Sequence, residues 1–433
     1  MPVLTRLWAL REKRPAFVGI SLVTLGFFLM WPFVDWYLRT VEIASQVQFY
    51  DFGAYMGALE RWHAGESLYK QTADGGYAGR YLYPPIALLL FVPFEEIPFY
   101  GAGLLWEEFS LMVLWIDLQL VLADYGLDPR PFERGLLLWV LIGFQPLWFA
   151  FKHGQVAIFL GAMLFLALAA LERGEQRGGD GSGFATDRSV SLSRPASGAL
   201  TSVAAAVKLT YLTAGAHLLC DRDRLLGAIV AGGAIVGISL AVFGVDTHLR
   251  YVDVLRWGIE SGSGSRSPRL MTVAYYRPLY VVQDVATLVR GLGIAVIAGL
   301  ALAATSGDAD RETFALGVAA VPLLAPQSYT YTFVSLLPAI VALLAVEFEH
   351  DGRPLIPVVA LLLLHVHAYG LMILVEVLPR WVAFGGTLDA VLGVSQPGLW
   401  GNLLLVGLAV LRVAEHVSVP VWLSRRGVRV RRV

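Results

Sequence analysis

The chain has few charged residues and a single cysteine. Only 15% of its 433 residues are charged, whereas about a quarter of the residues of a soluble domain are charged. Hydrophobic residues make up 57% of the chain, and its mean hydropathy is +0.63. This composition excludes a soluble enzyme and a secreted domain held by disulfides. Because Cys220 has no partner cysteine in the sequence, a disulfide within the chain and a cysteine-rich metal site are excluded too.

Lysine is scarce, and the net charge is close to zero. Four of the 33 basic residues are lysines, at positions 13, 70, 152 and 208, and the others are arginines. A net charge of −1 provides no positive field to attract nucleic acid, so we expect no nucleic-acid partner. The sequence contains no P-loop, no glycine-rich dinucleotide motif and no HExxH motif. We predict neither a metal ion nor another cofactor.

Long apolar runs are the main feature that the chain does have. The first, over 16–34, is long enough to cross a bilayer, which takes about 20 residues. Further apolar runs lie at 97–123, 134–150, 154–172, 197–219, 225–243, 286–304, 313–326, 332–347, 354–377 and 398–415. They predict an all-α, polytopic membrane protein with about twelve transmembrane helices in a single domain over 1–433.

Basic segments orient the predicted helices. The residues before the first run, the Gly/Ser-rich segment over 172–196 and the tail over 416–433 are rich in arginine. Since cytoplasmic segments carry such charge, we predict cytoplasmic N- and C-termini. The segment over 172–196 has no hydrophobic periodicity and is predicted to be a disordered cytoplasmic loop. The stretch over 35–83 and an Arg-rich loop over 244–283 then lie on the outer face.

Lys208 complicates the topology because it stands in the middle of the run over 197–219. A lysine at the centre of a span costs about 2.5–3.5 kcal/mol or more. We therefore favour two half-length helices with Lys208 at their outer apex, together with a short re-entrant helix over 84–94. The alternative has one span at 197–219 and a full hairpin over 84–123, which places the basic segment over 172–196 outside.

The outer stretch over 35–83 contains an amphipathic helix. Phe52, Tyr55 and Leu59 fall at helical spacing, and charged residues lie off that stripe. Asp51 opens this helix and can cap it. It can also serve as a general base, because aromatic neighbours that partly desolvate a carboxylate raise its proton affinity. The two roles are compatible.

Further polar residues interrupt the apolar runs on the same predicted face. Irregular backbone at membrane depth is tolerated where it lines a water-accessible cavity, so we expect one shared cavity. Its expected members are Asp51, Tyr81, Tyr83, His153, Gln155, Lys208, Arg277, Gln327 and Tyr331.

The cations of this face suit an anionic ligand. Lys208 either snorkels to the membrane interface or neutralises a phosphate leaving group. Five arginines in the loop over 244–283 break the usual charge rule for outer loops. Either orientation is set elsewhere in the chain, or some of them hold an anion in bidentate fashion. The Asp-x-Asp strings at 221–223 and 308–310 lie in predicted cytoplasmic turns, so we assign no metal–nucleotide site to them.

Several motifs, in this order, resemble those of glycosyltransferase family 87, which consists of membrane transferases that use polyprenyl-phosphate sugars. The similarity of order and spacing extends over about 16–350. The first outer loop carries the most specific part, in residues 51–55 (Asp-Phe-Gly-Ala-Tyr), 65–69 (Gly-Glu-Ser-Leu-Tyr) and 83–85 (Tyr-Pro-Pro). Later motifs are residues 154–156 (Gly-Gln-Val), the helix break at 204–209 (Ala-Ala-Ala-Val-Lys-Leu) and residues 326–329 (Pro-Gln-Ser-Tyr).

The resemblance implies a fold of the GT-C type and an inverting transfer of a sugar, mannose in most of the family. The donor would be a polyprenyl or dolichyl phosphate, and the acceptor a glycolipid, glycan or glycoprotein at the extracytoplasmic face. It implies that Asp51 is the base and that Lys208 and Arg277 bind the donor phosphate. It assigns sugar or substrate binding to Tyr55, Tyr81, Tyr83, His153, Gln155, Gln327 and Tyr331.

Two other functions fit many of the same features. A lipid or sugar transporter or flippase would also need many spans and a polar pocket. Transporters usually have two homologous halves, whereas the large outer stretch over 35–83 has no counterpart later in this chain. A non-catalytic subunit of a cell-envelope assembly complex could keep the same fold, since a fold does not determine function.

Overall fold

The computed structural model describes residues 3–42, 47–73, 75–77, 79–179, 187–262, 275–304, 309–326, 328–377 and 394–417. Most of these residues are helical. The α-helices are α1 (Val3–Ala9), α2 (Pro15–Thr40), α3 (Tyr50–His63), α4 (Phe99–Asp124), α5 (Pro131–Gly143), α6 (Gln145–His153), α7 (Ala157–Gly179), α8 (Asp187–Val207), α9 (Arg222–Gly262), α10 (Ala286–Ala303), α11 (Asp310–Leu324), α12 (Leu337–Glu349), α13 (Leu355–Val377) and α14 (Pro397–Glu415).

Short 3₁₀ helices and one small sheet connect these α-helices. The 3₁₀ helices are Pro85–Leu90, Val92–Phe94, Leu209–Cys220, Tyr280–Val285 and Thr330–Leu336. The strands β1 (Tyr275–Tyr276) and β2 (Ser328–Tyr329) pair antiparallel. The all-α prediction therefore holds apart from this two-stranded pair.

Long apolar helices confirm a multi-pass membrane protein. Six helices of the described residues are long and apolar enough to cross a membrane, and up to eight if each of two bent helix pairs counts as one span. The predicted number of about twelve is not confirmed by this measure. Several apolar runs of the sequence are bent or divided, so a run of apolar residues is not always one straight helix.

The segment after the first outer stretch bends sharply where it meets α4. The 3₁₀ helices over 85–94 and α4 are bent by 111° relative to each other. Ten residues that rise about 2.0 Å each reach roughly 20 Å, which is less than the roughly 30 Å of a bilayer core. This favours the predicted re-entrant helix over a full hairpin. The helix break at Lys208 is also present, because α8 ends at Val207 and a 3₁₀ helix follows.

The predicted disordered loop over 172–196 is contradicted at both ends, since α7 continues to Gly179 and α8 begins at Asp187. The start of this segment is ordered by burial. The Glu172 carboxylate is fully buried, accepts a hydrogen bond from Tyr125 at 2.8 Å and pairs with Arg311 at 2.6 Å. A charged residue in a segment without hydrophobic periodicity can thus be buried in the packed interior when its partners come from other helices.

The predicted outer loop over 244–283 is also more regular than expected. α9 continues to Gly262, with a non-helical break at Gly244, where φ is +72°. Arg250 and Arg256 lie on this helix and pair with acidic residues three or four positions away. The structure does not describe Arg266 and Arg269. The tail over 418–433 also lies outside the described residues.

Charged residues at the starts of α9 and α11 are paired and buried. Arg224 near the start of α9 pairs with Asp310 at the start of α11, with 2.5 Å between Nη2 and Oδ2. The Asp221 carboxylate accepts hydrogen bonds from the backbone N–H groups of residues 223 and 224, which caps α9. One aspartate of each Asp-x-Asp string, Asp221 and Asp310, thus has a structural partner.

Candidate active site

A cavity of about 940 Å³ opens between the first outer stretch and the later helices. Part of its wall is polar and aromatic, and comes from α3, the end of α6, the helix break at Lys208 and residues 325, 326, 329 and 331. The other part is mainly apolar and includes Val254, Leu255 and Ile259 of α9 and Gly291 and Ile294 of α10. Such a cavity can hold a ligand that is partly polar and partly lipid.

The first turn of α3 is fixed against the end of α6. Phe49 precedes the helix in the left-handed conformation, and its backbone N–H donates to the carbonyl of Lys152 at 2.7 Å. Gly154 ends α6 with a φ of +69°. A Cβ at Gly154 would lie 2.5 Å from the Cβ of Phe52, so only glycine allows this approach. The contact holds Asp51 beside the turn that carries Gln155.

Gln155 forms hydrogen bonds with two tyrosines and with Asp51, the predicted base. Its side-chain carbonyl accepts hydrogen bonds from the hydroxyls of Tyr83 at 3.0 Å and Tyr55 at 3.4 Å. The orientation of the amide follows, because its N–H groups then face the carboxylate of Asp51, to which the Gln155 side chain is hydrogen-bonded. Gln155 is only 2% exposed. The predicted Gly-Gln motif therefore positions the carboxylate.

The surroundings of Asp51 act on its pKa in opposite directions. Burial raises the pKa above the usual value of an aspartate, and this effect is the largest. The hydrogen bond from Gln155 and the nearby charges of His153 and Lys208 lower it. The net result is a raised pKa, which makes the carboxylate a better proton acceptor.

His153 also lines the cavity. Its Nδ1 lies 3.0 Å from the carbonyl oxygen of Phe149, one turn earlier. Since a carbonyl can only accept, the Nδ1–H donates this bond and the imidazole ring is held in one orientation. The ring also packs against Phe149, with 4.0 Å between the centroids. His153 is thus placed to contact a bound substrate.

Lys208 lies at the break between two helical segments, outside the long apolar helices, and faces the cavity. Its Nζ lies 5.8 Å from the ring centroid of Tyr83 and 5.5 Å from that of Tyr331. No carboxylate of the described residues forms an ion pair with it. Burial lowers the pKa of Lys208 to about 8, and the negative charge of Asp51 opposes this shift. A cation without a paired acid in a partly apolar cavity suits an anionic ligand.

Arg277 is brought to the cavity by the short sheet. The pairing of Tyr276 with Ser328 places Arg277 beside the apex over 326–331. Its guanidinium donates to the carbonyl of Ser328 at 3.3 Å and lies 6.0 Å from the ring centroid of Tyr329. The side chain of Gln396 bonds to both the N–H and the carbonyl of Arg277, at 3.0 and 2.8 Å. Segments far apart in the sequence therefore fix its position.

The structure brings most of the predicted site residues together. Those that line the cavity are Asp51, Tyr55, Tyr83, His153, Gln155, Lys208, Arg277 and Tyr331. Tyr81 does not line the cavity. It is fully buried behind the wall, donates to the carbonyl of Pro84 at 2.9 Å and packs against the rings of Tyr55 and Tyr83. Gln327 lies outside the described residues.

Two arginines of the cavity wall were not predicted from the sequence as site residues. Arg290 stands within the apolar run of α10, and its guanidinium donates to the carbonyl of Pro326 at 3.5 Å. The cost of an arginine inside an apolar run was a signal that could have identified it. Arg80 comes from the first outer stretch, which contains too many polar residues for a single arginine to stand out.

The fold and the cavity define the chain as a membrane protein with an amphiphilic binding site. The model of glycosyltransferase family 87 matches residues 81–326, which is more than half of the chain. The chain therefore belongs to this family and is a glycosyltransferase.

Two mycobacterial proteins are similar over most of the chain. Both are named polyprenol-phosphate-mannose-dependent alpha-(1-2)-phosphatidylinositol pentamannoside mannosyltransferase. The protein from Mycolicibacterium smegmatis is 26% identical over 70% of this chain and 72% of its own length. The protein from Mycobacterium tuberculosis is 27% identical over 77% of this chain and 73% of its own length.

Solved structures are more distant. A crystal structure of ArnT from Cupriavidus metallidurans bound to undecaprenyl phosphate has 15% sequence identity and a TM-score of 0.40, over 94% of this chain and 77% of that one. The apo structure of the same protein has a TM-score of 0.38. Likeness at this level carries no argument about the site.

Proposed function

We propose that this glycosyltransferase moves mannose from a polyprenyl-phosphate donor to a hydroxyl group of a glycolipid. The names of the two mycobacterial relatives support the donor and the acceptor class. The single observation that carries the mechanism is that Asp51, held by Gln155, and the cation of Lys208 face one cavity. A base and a phosphate-binding cation are the two groups that such a transfer needs.

The reaction is an inverting displacement. The acceptor oxygen attacks the anomeric carbon, and its proton passes to the carboxylate of Asp51. The bond between the anomeric carbon and the phosphate oxygen breaks on the opposite face, and its electron pair leaves with the lipid phosphate. Lys208 and Arg277 balance the charge that this phosphate gains, which lowers the barrier in a site of low dielectric constant.

The remaining wall residues bind the substrates. Tyr55, Tyr83 and Tyr331 present rings and hydroxyls to the sugar, and His153 contacts it from the end of α6. Tyr81 acts on the site through its packing against two of these rings. Gln327 remains a predicted substrate-binding residue because it directly precedes Ser328 in the sequence. The apolar side chains of α9 and α10 accommodate the polyprenyl tail.

The orientation in the membrane follows from the same scheme. α3 and the cavity lie on the extracytoplasmic face, and the N- and C-termini lie in the cytoplasm. Short apolar helices such as Leu209–Cys220 complete spans together with their neighbours in a GT-C-type fold of about twelve transmembrane helices. The donor is then lipid-linked, since the sugar must be carried across the membrane before it is used.

The direct test is to incubate purified protein with polyprenyl-phosphate mannose and a mannosylated phosphatidylinositol. We expect a lipid product that is heavier by one hexose, with an anomeric configuration opposite to that of the donor in NMR spectra. Retained configuration would contradict the single displacement. Movement of labelled donor lipid across a vesicle membrane without a covalent product would instead establish a transporter.

A further inference from the structure

Arg80 is an exposed arginine of the cavity wall. It lines the cavity and is exposed, whereas Lys208 and Arg277 are half-buried. Within the described part of the chain, no carboxylate pairs with its guanidinium, in contrast to Arg250 and Arg256 of α9, which pair with nearby aspartates. An arginine that faces a ligand cavity without a counter-ion is suited to bind an anion.

A second arginine adds positive charge close to Arg80. Arg61 of α3 donates to the carbonyl of Leu68 at 3.0 Å. Burial lowers the pKa of Arg61, and the nearby positive charge of Arg80 lowers it further, while Glu66 and Glu60 partly offset these effects. The two arginines are thus close enough to repel each other. An anionic ligand at Arg80 would relieve this repulsion.

The backbone fixes Arg80 near the base. Gly79 adopts a φ of +69°, and a Cβ there would lie 2.6 Å from the hydroxyl of Tyr50. Tyr50 directly precedes Asp51 in α3. Trp257 of α9, which also lines the cavity, packs against the same stretch, since its Nε1 would lie 3.1 Å from a Cβ at Gly76. Arg80 therefore follows a turn that contacts the residue next to Asp51, and both Arg80 and Asp51 line the same cavity.

We propose that the acceptor is an anionic glycolipid and that Arg80 binds its phosphodiester while the sugar hydroxyl reaches Asp51. This inference rests on the proposed function, in which Lys208 and Arg277 serve the donor phosphate. A separate cation for the acceptor lets the enzyme distinguish a charged head group from a neutral one with the same sugar. Arg80 is thus a determinant of acceptor specificity.

Three acceptors with the same mannose test this inference. They are a mannosylated phosphatidylinositol, its deacylated water-soluble head group and a mannosyl diacylglycerol without phosphate. For the two charged acceptors, we expect Arg80→Ala to raise KM about tenfold, the size of one hydrogen-bonded charge contact. We expect KM for the neutral acceptor and for the donor to stay within about twofold. The deacylated acceptor shows whether Arg80 recognises the phosphate without the lipid.

The controls separate a specific effect from a structural one. Arg80→Lys should recover part of the affinity for charged acceptors. Arg256→Ala, which removes an exposed arginine of α9, should change KM neither for the acceptors nor for the donor. An equal loss with charged and neutral acceptors, or a loss confined to the donor, would overturn the role of Arg80. If wild-type protein transfers mannose to all acceptors with equal KM, this inference fails and the proposed function stands. If it transfers mannose to none of them, the proposed function itself fails.

Discussion

The 3₁₀ helix Leu209–Cys220 joins two regions that carry charge in different ways. At its first end, Lys208 faces a cavity and has no acidic partner among the described residues. At its last end, Asp221 caps α9, and Arg224 is buried against Asp310. Twelve residues of 3₁₀ helix separate these ends by roughly 24 Å. One short helix thus connects a charged residue that can bind a ligand with charged residues that pair with each other inside the protein.

Other helices repeat this division. α7 starts beside Gln155 and reaches the buried Glu172, which pairs with Arg311 at the start of α11. α11 then ends at Leu324, which lines the cavity. The difference between the cavity ends and the paired ends of these helices shows that the position of a charged residue along its helix determines whether it serves the ligand or the stability of the fold. We expect substitutions at the paired end to reduce stability, and substitutions at the cavity to reduce activity while the protein stays folded.

The largest effect on activity is expected from Asp51→Asn. The amide cannot accept the proton of the acceptor hydroxyl, so we expect kcat to fall about a thousandfold, within the range of general-base contributions. The melting temperature should change little, because Asn can keep the hydrogen bond to Gln155. Asp246→Asn, an exposed aspartate that pairs with Arg250, is the matched control and should keep full activity. Near-normal turnover of Asp51→Asn would remove this residue from the mechanism.

The largest effect on stability is expected at the opposite end, from Arg224→Met. It leaves the carboxylate of Asp310 buried without its partner, which costs about 3–5 kcal/mol. Thermal unfolding in detergent measures this loss, and the protein that remains folded should keep its kcat. Replacing both partners by Arg224→Met and Asp310→Leu should restore part of the stability. A strong loss of kcat without loss of stability would contradict the division between the two ends.

A smaller effect is expected for Lys208→Ala, which removes the cation at the cavity. We expect kcat/KM for the donor to fall about thirtyfold, in keeping with the loss of a charge-assisted hydrogen bond to the phosphate as it leaves. KM for the acceptor should stay within about twofold. An unchanged kcat/KM for the donor would show that Lys208 does not bind the phosphate.

The pKa of Lys208 adds a pH dependence to this prediction. Because burial lowers it to about 8, the free enzyme loses the ammonium charge as the pH rises through that value. The kcat/KM for the donor should therefore fall above pH 8, and Lys208→Arg should remove this alkaline limb, since arginine stays protonated. On the acid side, activity falls once Asp51 is protonated, at a pH above the usual range of an aspartate.

The smallest effect is expected for Gly154→Ala. The added Cβ meets Phe52 and strains a left-handed turn, so the turn that carries Gln155 must shift away from α3. A displacement of this kind should lower kcat about tenfold and the stability by about 1 kcal/mol. Gly65→Ala is a useful comparison, because Gly65 also has a positive φ but nothing lies within 4 Å of its Cβ position. Equal kcat losses in both variants would contradict a positioning role of Gly154.

The sequence predicted the parts of the site that break a strong physical rule. A lysine within an apolar run is costly, so Lys208 pointed to a helix break that is present. An aspartate at the start of an amphipathic helix likewise pointed to α3. These features depend on neighbours in the sequence, which is why single-sequence reasoning could find them.

The features that the sequence alone could not provide depend on contacts between distant segments. The buried position of Glu172 results from its contacts with Tyr125 and Arg311, which no local sequence pattern predicts. The position of Arg277 results from the pairing of Tyr276 with Ser328 and from Gln396. The role of Arg80 depends on the glycine turn beside Tyr50. The presence of a charge in the sequence does not distinguish Arg80 and Arg277 from the arginines of α9 that pair with nearby aspartates.

Thiol labelling tests the shared cavity most directly. In a Cys220→Ser background, Ala54→Cys and Thr210→Cys place single thiols on the cavity wall near Asp51 and Lys208. A membrane-impermeant reagent should modify both from the extracytoplasmic side, and polyprenyl-phosphate mannose should protect both. Modification of the two positions from opposite sides of the membrane would show that the base and the phosphate-binding cation do not meet, and would contradict the proposed mechanism.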